Sequence, residues 1–150
     1  MVKPANMLKI VPAIAVIAAL GATVALAGPI EDRQAAMKQN GKAIGPIVAI
    51  LKGQAPYDAA VVKTNADTIH QDFVKAFASF PAGSEKGPPE TWAKAEIWSD
   101  PDGFKAAQDQ AIKAVEALAA TTDEAGFKTA LGGLGDACKA CHDKYRRPKE

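Results

Sequence analysis

The C-terminal part of this 150-residue chain carries an apolar stripe with a helical period. Between about Thr122 and Arg147, its members step by four, three, four, three and four positions: Phe127, Leu131, Leu134, Cys138, Cys141 and Tyr145. Such steps place side chains on one face of an α-helix, and Pro148 prevents the helix from continuing. A helix with one apolar face must bury that face against a neighbour, so the rest of the chain decides the architecture.

Three upstream segments show a similar periodicity and are separated by helix-breaking residues. The first spans about 30–52 and ends at Gly53, the second begins after Pro56 with Asp58 as its N-cap, and the third opens with Asp100 and a proline. Their apolar faces are predicted to hold Met37, Ile44, Val48 and Leu51; then Val62, Ile69, Phe73, Phe77 and Phe80; then Phe104, Ala111, Val115 and Leu118. No segment alternates as a strand does. The sequence therefore predicts an all-α fold, an up-down-up-down antiparallel four-helix bundle.

The first 27 residues have the pattern of a secretory signal. Lys3 and Lys9 precede an uncharged run at 10–26, and the small residues of 25–27 fit a cleavage site. A retained membrane anchor is the alternative, but Pro12 and Gly21 within the run favour cleavage. We therefore predict a cleaved signal peptide at residues 1–27, export to a bacterial periplasm, and one mature domain at 28–150.

Charge and cysteine content exclude several classes of protein. The whole chain has 18 basic and 17 acidic side chains, and loss of the signal leaves 16 and 17, a net charge of −1. Such a balance does not favour binding to nucleic acid, which requires a basic surface. Two cysteines are too few for a disulfide-stapled scaffold, and free thiols in the periplasm are at risk of oxidation. The cysteines therefore need a chemical role.

Cys138, Cys141 and His142 form a C-x-x-C-H motif, the attachment signature of c-type haem. Cysteines three apart share a helix face, so both thiols can reach the vinyl groups of one porphyrin edge, and the histidine can ligate the iron. Three alternatives are weaker. A thioredoxin-type redox site requires a βαβ context, a zinc site lacks a fourth ligand other than His70, and a disulfide across one helical turn is strained.

The order of motifs resembles that of the class II c-type cytochromes, cytochrome c′ and cytochrome c-556. The resemblance covers nearly all of residues 30–148. It rests on the haem motif close to the C-terminus and on short matching segments at 33–34, 52–58, 80–84, 96–100 and 145–146. Class I cytochromes c carry the haem motif near the N-terminus instead. The resemblance implies a four-helix bundle with one covalent haem c per chain.

The resemblance also assigns roles to individual residues. It implies that His142 is the proximal iron ligand and that Cys138 and Cys141 are the thioether anchors. Arg33 and Gln34 match residues near the haem edge in similar proteins. Arg146 matches an arginine beside the proximal face, where its planar fork would suit a haem propionate.

Met37 distinguishes the two branches of the family. It lies four residues after Arg33, at the place that faces the distal side of the haem in similar proteins. In cytochrome c-556 a methionine here is the sixth iron ligand, which gives a low-spin electron carrier. In many cytochromes c′ an apolar residue blocks this site and leaves five-coordinate, high-spin iron that binds small gases. The segment at 37–41 favours the c-556 pattern, so we predict ligation by Met37.

The function predicted on this basis is one-electron transfer by a periplasmic haem c protein that is not an enzyme. The alternative is a five-coordinate cytochrome c′ that binds nitric oxide or carbon monoxide. A peroxidase would require a distal acid–base histidine, which the chain lacks. The expected partners are redox proteins bound transiently, with no nucleic acid and no membrane after signal cleavage. Relatives often pair through their first two helices, and Ala35, Ala36 and Ala43 permit a homodimer without requiring one.

Overall fold

The computed structural model describes residues 28–148, and the predicted signal peptide at 1–27 lies outside them. The regular secondary structure of this range is entirely helical. It consists of α1 Pro29–Leu51, α2 Ala59–Phe77, α3 Glu96–Ser99, α4 Pro101–Ala119 and α5 Glu124–Tyr145. The all-α four-helix bundle predicted from the sequence is confirmed. The single turn α3, which lies in the long connection between α2 and α4, was not predicted.

The four long helices pack in sequence order. Helix α1 lies against α2, α2 against α4, and α4 against α5. The connection from α1 to α2 covers 52–58 and that from α4 to α5 covers 120–123, so these neighbours run antiparallel. The intervening connection at 78–100 crosses one end of the bundle. Within residues 28–148, no helix is long and apolar enough to cross a membrane.

The core is built mainly from the helix faces that the sequence indicated. The predicted inner residues of α4 are all buried, as are Phe127, Leu131 and Leu134 of α5. Helix α1 differs from the prediction, because its core residues are Ala43, Ile47 and Ile50 while Leu51 is 46% exposed. The predicted α1 stripe is therefore displaced around the helix. Met37 and Ile44, which belong to that stripe, pack against the edge of the core and also line a cavity.

Asp72 on α2 is a buried carboxylate with incomplete partners. Its side chain is 7% exposed, Lys75 Nζ lies 3.5 Å from Oδ1, and Oδ2 has no hydrogen-bond partner among the described residues. Asp72→Leu is expected to raise the free energy of unfolding by about 1 kcal/mol, because it removes an unsatisfied buried oxygen. Urea unfolding measures the change. Asp67→Leu, which removes an exposed carboxylate of the same helix, serves as the control, and a loss of stability in the Asp72 variant would contradict the expectation.

Candidate functional site

A cavity of about 590 Å³ opens between α1 and α5. Its volume is within the range of cofactor sites, and its lining is largely apolar. The rest of the wall comes from α2, the connection before α3, α3 itself and α4, through Ile69, Phe73, Phe77, Phe80, Trp92, Ile97, Phe104 and Ala111. All seven site residues predicted from the sequence line this one cavity: Arg33, Gln34, Met37, Cys138, Cys141, His142 and Arg146.

The α5 wall carries the two cysteines. Cys138 and Cys141 are half-buried free thiols, one helical turn apart on the face that borders the cavity. Burial raises the pKa of both thiols, so they stay protonated near neutral pH. Such thiols react slowly as nucleophiles. Their position on the cavity wall suits covalent attachment of a group bound in the cavity. It does not favour thiol–disulfide exchange.

His142 lies at the exposed mouth of the same wall. Desolvation by the protein atoms around its ring lowers its pKa, and the positive charge of Arg146 lowers it further, while Asp143 opposes this shift. The imidazole is therefore neutral at pH 7, which is the form that ligates a metal. Among residues 28–148, no three side chains of the His, Cys, Asp and Glu types are grouped so as to hold a metal ion by themselves. His70 lies elsewhere, with Nε2 3.5 Å from Glu116 Oε1.

The α1 wall holds the only thioether that follows residue 27. Met37 is half-buried, packs against the main core and lines the cavity. One turn further along α1, Asn40 Nδ2 donates a hydrogen bond to Met37 Sδ at 3.8 Å. Asn40 was not predicted from the sequence to be a site residue. A polar residue three positions after a cavity-lining methionine was the only signal that could have drawn attention to it.

Arg33 fastens α1 to the connection that crosses the cavity. The residue is 4% exposed, and Nη1 donates to Ser79 O and Ser84 Oγ, both at 3.0 Å. Nη2 donates to Ser84 O at 2.7 Å and to Thr91 Oγ1 at 3.0 Å. The guanidinium also lies 4.6 Å from the centre of the Phe80 ring. Its terminal N–H groups therefore hold the connection at 79–91 in place beside the cavity.

Arg33→Lys is expected to lower the free energy of unfolding by about 2 kcal/mol. Lysine keeps the charge, but it lacks the planar fork that donates in two directions, so buried acceptors lose their partners. Chemical denaturation of the holoprotein measures the change. The matched control is Arg147→Lys, because the Arg147 side chain is exposed and donates a single hydrogen bond, to Thr91 O at 2.6 Å. It is expected to change stability less, and equal losses in the two variants would contradict the role given to Arg33.

Gln34 and Arg146 reach the same connection from opposite sides of the cavity mouth. Gln34 Nε2 donates to Glu90 O at 2.7 Å. Arg146 lies with its guanidinium carbon 5.5 Å from the centre of the Trp92 ring. Next to it, the Arg147 backbone N–H donates to Trp92 O at 2.7 Å. Residues 90–92 thus join the N-terminal part of α1 to the C-terminal end of α5.

An aromatic cluster closes one end of the cavity. Phe104 packs edge-on against Phe80 and Tyr145, with ring centres 5.0 Å apart in each pair. Tyr145 Oη donates to Asp100 Oδ2 at 3.1 Å, and Lys144 Nζ donates to the same oxygen at 2.8 Å. Because Asp100 is also the N-cap of α4, this carboxylate joins the start of α4 to the end of α5.

The Asp100 contacts make stability depend on pH. The hydrogen bond from Lys144, then those from the Gly103 backbone and Tyr145, lower the pKa of Asp100 below its ordinary value of 3.8. The ionised carboxylate therefore stabilises the fold above that value, and the contribution is lost as the pH falls through the lowered pKa. Asp100→Asn is expected to be less stable than wild type at pH 7. Unfolding measured down to about pH 2 should show this difference shrinking, whereas a pH-independent difference would contradict the assignment.

The residues of the cavity fit a haem c. Two thiols share one helix face, a neutral imidazole immediately follows the second of them, and aromatic and aliphatic side chains supply an apolar volume for a flat macrocycle. The Met37 thioether lies on α1, across the cavity mouth from α5. This donor set has the soft sulfur and imidazole character that iron porphyrins accept as axial ligands.

Comparison with known proteins identifies the family of this chain. A family model described as Cytochrome C′ matches residues 28–146, nearly the whole of the described chain. The chain belongs to the cytochrome c′ family. Proteins of this family carry one covalently bound haem c per chain. They are classed with the electron-transport cytochromes c.

Relatives in both branches of the family are similar to this chain. Cytochrome c-556 of Agrobacterium fabrum is 42% identical over 126 residues, which cover 82% of this chain and 84% of the relative. Cytochrome c′ of Alcaligenes xylosoxydans is 38% identical over 124 residues, covering 80% and 94%. A solved nitric oxide complex of a cytochrome c′ variant from Alcaligenes xylosoxidans superposes with a TM-score of 0.74 at 35% identity, covering 83% of this chain and 99% of the other.

Proposed function

We propose that this member of the cytochrome c′ family is a one-electron carrier whose iron is bound by His142 and Met37. The observation that carries the proposal is that Met37 lines the same cavity as Cys138, Cys141 and His142, from the helix on its other side. It is the only thioether after residue 27, and His70, the only other histidine, does not line the cavity. The haem supplies reversible exchange of one electron between ferric and ferrous iron.

The chain's own residues would make that exchange fast by keeping the site rigid and dry. The neutral imidazole of His142 can ligate iron without first losing a proton. A thioether is uncharged in both redox states and favours the ferrous form, which raises the potential. Arg33 and Gln34 hold the connection at 79–91, and the apolar walls exclude water. Few groups would need to move when the electron arrives or leaves.

A carbon monoxide titration of the reduced holoprotein tests this proposal. Gas must displace Met37 from iron if the methionine is bound, so binding is expected to be slow and its rate to saturate as the gas concentration rises. In an open five-coordinate site, the rate would instead rise linearly with gas concentration. A linear dependence with rapid binding would contradict ligation by Met37.

The second candidate function is gas binding by five-coordinate iron, with Met37 only lining the distal wall. Its support is the similarity to the Alcaligenes protein that was crystallised as a nitric oxide complex. Both candidates are functions of a haem protein that exchanges an electron or binds a gas, and neither includes a catalysed reaction. The carbon monoxide titration separates the two.

We also propose that the protein works in the periplasm after cleavage following Ala27, with redox proteins as transient partners. The basic start, uncharged run and small residues of 1–27 support export. Cell fractionation should place the haem protein in the periplasmic fraction, with Gly28 as its first residue by mass spectrometry. A haem protein that retains residues 1–27 in the membrane fraction would contradict cleavage.

A further inference from the structure

The amide of Asn40 is unusually placed for a residue that contributes only to stability. Asn40 lies one helical turn beyond Met37 on α1, and both residues line the cavity. Its Nδ2 donates to Met37 Sδ at 3.8 Å, which is a normal length for a hydrogen bond to the large sulfur atom. Its Oδ1 is buried and accepts no hydrogen bond from any of residues 28–148.

This arrangement costs stability. A buried amide oxygen without a donor loses its hydration and gains nothing in return, and thioether sulfur is a weak acceptor for the other end of the group. A leucine of similar size at position 40 would avoid both costs. The hydrogen bonds of Arg33 and Gln34 beside the cavity go to strong acceptors, such as the carbonyl oxygens of Ser84 and Glu90. The Asn40 amide differs from them, because its acceptor is the sulfur of Met37.

We propose that Asn40 is a positioning residue, which holds the thioether of Met37 in place for the iron and so favours six-coordinate over five-coordinate iron. The inference rests on the proposed function and extends it. A methionine side chain has three rotatable bonds, so the position of its sulfur is poorly fixed unless neighbouring groups restrict it. The hydrogen bond from Asn40 occupies one sulfur lone pair and restricts these torsions, while the second lone pair stays free to bind a metal.

The same hydrogen bond also withdraws electron density from sulfur, which opposes ligation. At 3.8 Å, between a neutral amide and a weak acceptor, this polarisation is small. Restriction of the side chain acts on every torsion up to the sulfur, so we take positioning as the larger effect. The net result of removing the amide should therefore be a larger share of five-coordinate, high-spin iron.

Asn40→Leu and Asn40→Ala test the inference together. Leucine keeps the approximate size, and alanine removes the amide without adding bulk should leucine fail to fit. In the ferric holoprotein at neutral pH, electron paramagnetic resonance measures the ratio of high-spin to low-spin iron. Both variants are expected to raise that ratio about three- to tenfold, the effect of losing one hydrogen bond. The association rate of carbon monoxide with the reduced variants should rise by a similar factor.

Asn65→Leu is the matched control, because it makes the same substitution on α2 at a residue that does not line the cavity. Its spin ratio is expected to equal that of wild type. Low-spin wild-type iron with an unchanged ratio in both Asn40 variants would overturn this inference and leave ligation by Met37 intact. High-spin wild-type iron that is insensitive to Met37→Ala would overturn the proposed function and this inference with it.

Discussion

Met37→Ala is expected to convert the ferric iron of the holoprotein almost completely from low spin to high spin. No other thioether follows residue 27, and the only other histidine, His70, lies beside Glu116 away from the cavity. Among residues 28–148, no second thioether and no histidine other than His142 lines the cavity. The reduction potential should fall, because a ligand that favours ferrous iron is lost, and carbon monoxide should bind the reduced variant rapidly. Absorption spectroscopy and potentiometric titration measure these changes.

Ile44→Ala is the control for this experiment. Ile44 lines the same cavity from the same helix, so the substitution removes a comparable volume without removing a ligand. The low-spin spectrum is expected to persist in Ile44→Ala. A Met37→Ala protein that stays low-spin would show that another group binds the sixth position and would refute the ligand assignment.

Replacing both Cys138 and Cys141 with alanine is expected to abolish covalent haem. Both thiols are half-buried on the cavity wall, and the described part of the chain has no other cysteine that could form a thioether. A haem-stained denaturing gel of the purified protein should show a band for wild type and none for the double variant. The single variants should retain some haem through one bond.

The double variant should also lose stability, because a cavity of about 590 Å³ would no longer be held around a covalently bound group. Lys139→Ala is the control, since Lys139 stands between the two cysteines on the exposed side of α5 and pairs with Asp143. It should retain covalent haem. Haem that stays attached to the double variant through denaturation would contradict the anchoring roles.

The elements predicted from the sequence were those with local signals. The stripe on α5 and the inner face of α4 follow from helical spacing, and Asp58 and Asp100 cap helices where the sequence indicated. The face of α1 was misplaced because Ile44, Ile47, Val48, Ile50 and Leu51 crowd one short stretch, so spacing alone could not show which of them face the core. Contact with the neighbouring helices decides that.

Part of the candidate site also has a local sequence signal and could be predicted from it. The haem motif on α5 is contiguous, so its residues could be named from spacing, and resemblance supplied Arg33 and Met37. The partners of Arg33 could not be inferred, because Ser84 and Thr91 lie 51 and 58 positions away along a connection without periodicity. Asn40 was missed because an isolated asparagine on a helix is usually a solvated residue, and only the packed structure shows its amide against Met37.

Electron paramagnetic resonance of the wild-type ferric holoprotein at neutral pH tests the central claim most directly. The claim is that His142 and Met37 both ligate the iron of this cytochrome c′ family protein. Two strong axial ligands predict a low-spin signal with little or no high-spin component. A predominantly high-spin signal, from iron bound by His142 alone, would contradict the claim and identify the protein with the five-coordinate branch of the family.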